Sequence, residues 1–216
     1  MKVYLSPSLQ EQNVGVGDFG VEMTRAYQVA NLVAPYLLAQ NIPVRMPRED
    51  WCKLSANVLL AKVVADSNDW GSTVHVCLHT NAGPPEADGT FILHYPGSAK
   101  GLKLAGLIYK YLAPISPGTD YGLATSPLFY ETKNANAVVA YVEAAFHSNP
   151  AEAKDYVFAR KLYAWAIAAG ILEYAGKPVP VKPLASFQFL KVPIPMRLPA
   201  WWKYLLAYLA RVKKTG

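Results

Sequence analysis

The chain has 216 residues, 52% of them apolar and 17% charged, with a formal net charge of +6. That length supplies one sizeable core, and that composition excludes a disordered chain. Two cysteines exclude a disulfide-stapled scaffold, and no apolar run reaches the roughly eighteen residues that a membrane-spanning helix needs.

Val3-Tyr4-Leu5 reads as a short buried strand stopped by Pro7. The apolar run before Ser6-Pro7-Ser8 is too short for a signal peptide, so the expectation is a protein made in the cytoplasm that acts after release. A Gly-containing loop over 13–20 leads into an amphipathic helix over 21–40, with Ala30, Leu32, Val33, Tyr36 and Leu37 as its apolar positions. Ile42-Pro43-Val44-Arg45 is a second strand, residues 53–67 a second helix, and 73–78 a third strand of strong β-formers followed by a Gly/Pro loop. Residues 91–95 form a fourth strand, 98–112 a third helix and 137–142 a further apolar strand. Asn149 as N-cap, Pro150 at the first helical position and Glu152 in the first turn start a last helix that runs to about Gly176. Strands alternating with helices of this length imply an α/β fold: one domain over 1–176, with a mixed, largely parallel sheet covered on both faces.

Beyond Gly176 the composition changes. All fifteen acidic residues lie between Glu11 and Glu173, against thirteen basic residues up to Lys161, which leaves the body near −2. The last forty residues carry eight basic residues and no acid. Six prolines mark 177–199 as an extended linker. In 200–216, Trp201, Leu205, Tyr208, Leu209 and Val212 share one face of a basic helical tail suited to an anionic wall polymer or membrane. The same face could instead pack back onto the body. It matches no nucleic-acid reading module.

Gly15-x-Gly17-x-x-Gly20 has the letters of a dinucleotide fingerprint, but residues 6–14 separate it from the strand it should follow. Cys77 sits in an apolar run and reads as an inert buried thiol. Glu22 opens the first helix, where a carboxylate favours the helix dipole. His79 ends the third strand at the kind of position where α/β sheets place ligand sites. Glu143 follows a buried-strand pattern, so its carboxylate must be paired, metal-bound or held with a raised pKa. A histidine, a helix-start glutamate and a strand-end glutamate suit a hydrolytic zinc site, which needs about three protein ligands, a water and a carboxylate base.

Gly20-Val21-Glu22, Leu78-His79-Thr80-Asn81-Ala82 and the stretch from Tyr141-Val142-Glu143 to Asn149-Pro150 resemble, in order and spacing, the signature segments of the zinc N-acetylmuramoyl-L-alanine amidases, the family of autolysins and phage endolysins. The resemblance spans about residues 2–175. It implies Glu22 and His79 as Zn2+ ligands, Glu143 as the catalytic glutamate and peptidoglycan as substrate. Many members carry a first histidine ligand after strand one. Here the loop is Ser6-Pro7-Ser8-Leu9-Gln10-Glu11-Gln12-Asn13, similar to a phage-type branch that places Gln10 at the ligand position. His75, four residues before His79 and on the same strand face, and Glu11 stay open as alternative ligands. His147 could touch substrate or be structural, and His94 reads as structural. The reaction implied is hydrolysis of the amide between N-acetylmuramic acid and L-alanine. The rival readings are a wall-binding module that lost catalysis with the first histidine, and a protein whose membrane activity resides in its tail.

Overall fold

The computed structural model describes residues 1–119 and 121–183. The first of its two units, Met1–Leu184, holds every described element. The expected linker beyond residue 183 and the expected basic helix over 200–216 lie outside the described residues. Among the described residues no helix is long and apolar enough to cross a membrane.

Strand β1 (Val3–Pro7) is followed by a small hairpin, β2 (Val14–Gly15) and β3 (Gly20–Val21), around a 3-10 turn. Then come helix α1 (Glu22–Leu38), strand β4 (Val44–Arg45), a 3-10 turn over Glu49–Lys53 and helix α2 (Ala56–Asp69). Strand β5 (Val74–Asn81), strand β6 (Phe91–His94), helix α3 (Ala99–Leu112), strand β7 (Gly122–Thr125) and helix α4 (Tyr130–Asn134) follow. Strand β8 (Val138–Phe146) and helices α5 (Pro150–Phe158) and α6 (Arg160–Tyr174) complete the domain.

The main sheet has the order β4-β1-β5-β8-β6-β7. β4, β1, β5 and β8 are parallel, β6 runs antiparallel to β8, and β7 is parallel to β6. This is the mixed, mostly parallel sheet that the alternation of elements predicts. Side chains alternate between its faces. Val3 and Leu5, Val74, Val76 and Leu78, and Ala140 and Val142 point to a core shared with α1, α3 and α6. That core includes Ile92, Leu104, Ile108 and Ile167, all fully buried, each burial stabilising by about 1.5–3 kcal/mol. The opposite face carries Tyr4, Cys77, Val139 and Tyr141, packed in part beneath α2 and α4.

Four expectations are corrected. β5 runs on through His79 to Asn81, and β8 through Glu143 to Phe146, so both residues lie inside strands rather than at their ends. Pairing resumes past the apolar stretch across a register shift between His79 and Asn81. The long last helix breaks at Ala159 (φ −95°, ψ 12°). Its halves have different partners: α5 packs on the 3-10 turn at Gly17–Phe19, and α6 on α1 and α3. The loop over 13–20 holds the β2–β3 hairpin, and β7 and α4 occupy a stretch without apolar periodicity. Glu152 does more than favour the helix dipole. Its buried carboxylate accepts from Phe146 N at 2.6 Å, Gly89 N at 2.7 Å and Ser116 Oγ at 3.0 Å, fastening the end of β8 to two loops.

Candidate active site

The carboxyl ends of β1, β5 and β8 form one edge of the sheet, the usual place for a site in an α/β domain. Register pairs Tyr4 with His75, Ser6 with Cys77, Cys77 with Tyr141, and His79 with Glu143, all on one face. The polar side chains are therefore ranked along this face from the sheet's interior to its edge. The N-terminus of α1 reaches the same edge, because Glu22 N donates to Asn13 O at 2.9 Å.

Gln10, Glu22 and His79 come together there. Glu22, 1% exposed, accepts from Thr80 N at 2.9 Å and lies 3.2 Å from His79 Nδ1 through the same oxygen, Oε1. Its second oxygen accepts from Asn13 Nδ2 at 2.8 Å, and the same Asn13 amide donates to Gln10 Oε1. Two side-chain oxygens thus converge on the N–H hydrogens of one amide. Burial alone would raise the Glu22 carboxyl, but the hydrogen bond and charge of His79, with the Thr80 and Asn13 donors, hold it below its ordinary value. Burial alone would lower His79, and the Glu22 bond and charge outweigh it, so its pKa is raised. The His79 ring stacks on Tyr141 at 4.6 Å and 16°, which fixes its plane.

Glu143 is the register neighbour of His79. Among the described residues its Oε2 is the buried side-chain polar atom that lacks a hydrogen-bond partner. Burial is the main cause that raises its pKa to about 7, opposed by the His79 charge and helped by that of Glu22. A buried carboxylate poised near neutrality and aimed at no protein donor is available to a proton on something bound.

His75 does not join this group. Four residues of strand put it roughly 13 Å from His79, and both ring nitrogens are engaged: Nδ1 with Ser67 Oγ at 2.9 Å, Nε2 with Glu131 Oε2 at 2.8 Å. Ser6 Oγ also donates to Glu131 Oε2, at 2.6 Å. His75, Cys77 and Glu131 form a second, buried group, their donor atoms within 4.8 Å of one another, that could hold a metal ion. The Cys77 thiol is pushed up by burial and then by Glu131, so it is an unreactive thiol as it stands. A cavity of about 210 Å³ is lined by members of both groups, Gln10 and His79 of the first and Glu131 of the second, with Ser6 and the apolar Leu54, Leu59 and Leu60.

Glu11 lies beside Cys52, whose thiol is raised by burial and by that carboxylate. His147 bonds Thr80 Oγ1 at 2.9 Å through Nδ1 and packs on Phe19; burial lowers its pKa. His94 bonds the Tyr95 carbonyl at 3.0 Å. The three fingerprint glycines belong to the β2–β3 hairpin, where a Cβ on Gly15 would strike the Phe19 ring and His147, so that glycine serves close packing. Asn13, Thr80, Tyr141 and Glu131 escape sequence reasoning. Thr80 and Tyr141 lie within the family-like segments and Asn13 three residues after Gln10 in the same loop, whereas Glu131 carried no signal.

A buried, near-neutral carboxylate beside a histidine–carboxylate pair, in the carboxyl-terminal halves of the central strands of an α/β domain, has the makeup of a hydrolase site. Residues 3–173 match the N-acetylmuramoyl-L-alanine amidase family, and the chain belongs to it. It is thus an enzyme that cleaves the bond between N-acetylmuramic acid and L-alanine in peptidoglycan. Three solved structures share the fold. The catalytic domain of the amidase CwlV from Bacillus (Paenibacillus) polymyxa var. colistinus is 22% identical with a TM-score of 0.70, covering 82% of this chain and 99% of its own. An N-acetylmuramoyl-L-alanine amidase from Clostridium difficile 630 is also 22% identical with a TM-score of 0.70, covering 81% and 96%. The catalytic domain of the CD27L endolysin targeting Clostridia difficile is 19% identical with a TM-score of 0.68, covering 80% and 97%. No curated protein sequence matches the chain.

Proposed function

We propose that the amidase reaction runs at the edge group, with Gln10, Glu22 and His79 holding zinc and Glu143 serving as the base. The observation that carries this reading is the unpartnered, buried Oε2 of Glu143 in register with His79. The donor set fits the ion: one imidazole, one carboxylate held ionised, and one amide oxygen, the last two already converging on the Asn13 amide. Bound zinc would supply Lewis acidity, making a water acidic near pH 7 and polarising the substrate carbonyl. Glu143 takes a proton from the attacking water, whose oxygen bonds to the amide carbon, and gives it to the L-alanine nitrogen as the C–N bond breaks. Tyr141 fixes the His79 ring, and Asn13 orients Gln10 and Glu22 together. A glutamine oxygen binds zinc less well than an imidazole nitrogen, so this chain's affinity depends more than usual on those second contacts. The eight basic residues from Lys177 onward suit an anionic wall polymer or membrane beside the substrate.

Zinc binding and the release of new L-alanine amino groups from purified walls test the reading together. We expect one zinc per chain, and activity lost on chelation and restored by zinc. Gln10→Ala and Asn13→Ala should each weaken zinc binding by about 10- to 100-fold. Zinc lost in His75→Ala but kept in Gln10→Ala would move the metal to the buried group. Wall cleavage that survives both chelation and Glu143→Ala would overturn the mechanism.

A further inference from the structure

The two sides of the His79–Glu143 pair are built differently. Towards β1 lies the half-enclosed cavity of about 210 Å³ beneath α2, with its leucine wall. Towards β6 and β7 lies an open aromatic surface. β6 runs opposite to β8, and β7 follows β6, so the first residues of β6 and β7 sit at the same sheet edge as Glu143. Phe91 is the register partner of Glu143. Tyr121, just before β7, meets the Phe91 ring edge-on at 6.5 Å and the Phe146 ring at 5.6 Å. Phe146 is 6% exposed and Tyr121 is 59% exposed, so two supporting rings hold a third out to solvent. Tyr121 N is fixed by a bond to Thr90 O at 3.0 Å.

The scissile amide is equally lopsided. One side is a sugar within a glycan chain that continues in both directions. The other is L-alanine, a methyl-bearing residue that opens a side branch. A continuing polymer needs an open surface, whereas a branch can enter a half-enclosed cavity. The C–H faces of a pyranose present weakly positive hydrogens, which suit the negative face of an aromatic ring, while a tyrosine hydroxyl serves the wet rim.

Resting on the reading of the site given above, we propose that Tyr121, braced by Phe91 and Phe146, is the platform on which the muramic acid ring of the substrate stacks. The stem peptide then turns the other way, towards the cavity beneath α2. Tyr121 is a positioning and specificity residue and takes no proton.

The test uses the full, zinc-loaded chain. Two soluble substrates are compared, a disaccharide peptide and the same lactyl-peptide without sugar, and binding of the peptide-free disaccharide is titrated separately. In Tyr121→Ala, the preference in kcat/KM for the sugar-bearing substrate should fall about three- to tenfold, the effect of losing one aromatic stack. The loss should appear in KM rather than kcat, and the disaccharide Kd should rise by the same factor. Tyr121→Phe should restore most of the preference. An unchanged preference, an equal loss on both substrates, or disaccharide binding that is absent from the wild type or indifferent to Tyr121 would overturn the proposal. Wild-type chain that binds the disaccharide but cleaves neither substrate would instead count against the catalytic reading, so the two failures can be told apart.

Discussion

Replacing Glu143 with glutamine should make the protein more tolerant of high pH while removing its activity. The wild-type carboxyl is raised from an ordinary 4.5 to about 7, chiefly because the fold buries it. The folded state therefore keeps a proton that the unfolded chain has already released. Below pH 4.5 both states are protonated and nothing is lost. Between 4.5 and about 7 the unfolded state binds fewer protons, so stability falls with rising pH, by about 1.4 kcal/mol per unit. Above 7 the full cost has been reached, about 3 kcal/mol for a gap of roughly 2.5 at 1.36 kcal/mol each. The amide introduced by Glu143→Gln does not titrate, so the variant's stability relative to wild type should climb by about that amount from pH 4.5 to 8 in metal-free protein. The buried amide adds its own fixed desolvation cost, which offsets the whole curve without changing its slope. A cation in the neighbouring site would favour the carboxylate and flatten the difference, so added zinc should shrink it. Urea unfolding across that pH range, with and without chelator, measures the slope. Wall cleavage should fall about 10²- to 10⁴-fold, the usual worth of a general base. Parallel stability curves for the two proteins, or a variant that cleaves walls within tenfold of wild type, would refute the reasoning.

Two further changes test the scaffold. In Gly170→Ala the new Cβ would stand 2.5 Å from Ile108 Cα and 2.6 Å from its backbone nitrogen, at the crossing of α6 over α3. A backbone cannot swing aside as a side chain can, so the gain of about 1 kcal/mol in helix propensity should be outweighed, for a net loss of about 1–3 kcal/mol in urea unfolding. Unchanged stability would show that the two helices separate freely. Glu131→Ala leaves the buried His75 Nε2 without its carboxylate partner and should cost about 1–3 kcal/mol at neutral pH. Burial alone would raise Glu131, but the His75 bond and charge hold it below its ordinary 4.5. Its stabilisation is therefore present above 4.5 and lost as pH falls through the lowered value, so wild type and variant should converge in acid.

Much of the fold could be read from patterns that burial leaves in a sequence. Val3-Tyr4-Leu5, the run from Thr73 and the run from Ala137 are near-continuous apolar stretches, as expected of strands covered on both faces. Asn149 and Pro150 mark a helix start that the structure keeps, with Asn149 Oδ1 accepting from Ala151 N at 2.9 Å. The elements that escaped are those held by tertiary contacts. β7 is a four-residue edge strand, half-exposed along its length. α4 is a single short stretch whose Glu131 is buried only because β1 and β5 supply Ser6 and His75. The break at Ala159 has no local cause, since alanine favours helix; it arises because α5 and α6 answer to different neighbours.

The candidate site was legible by residue type and illegible by geometry. Glu22, His79 and Glu143 are unusual where they stand, and a polar group at a strand or helix end in an apolar chain invites a chemical question. Nothing in the one-dimensional order says whether His75 joins His79 as a further ligand, because the two share one strand face. The structure separates them by their partners: His75 is saturated by Ser67 and Glu131, while His79 shares Glu22 with the Thr80 amide. Gln10 is likewise distinguished by its partner. Alone it is a loop glutamine, but Asn13 donates both to it and to Glu22, so one amide holds the two oxygens at a common point. A missing histidine therefore need not mean a missing metal. A third donor of lower affinity is tolerable where a neighbouring side chain has already fixed its orientation, because less freedom remains to be lost on binding.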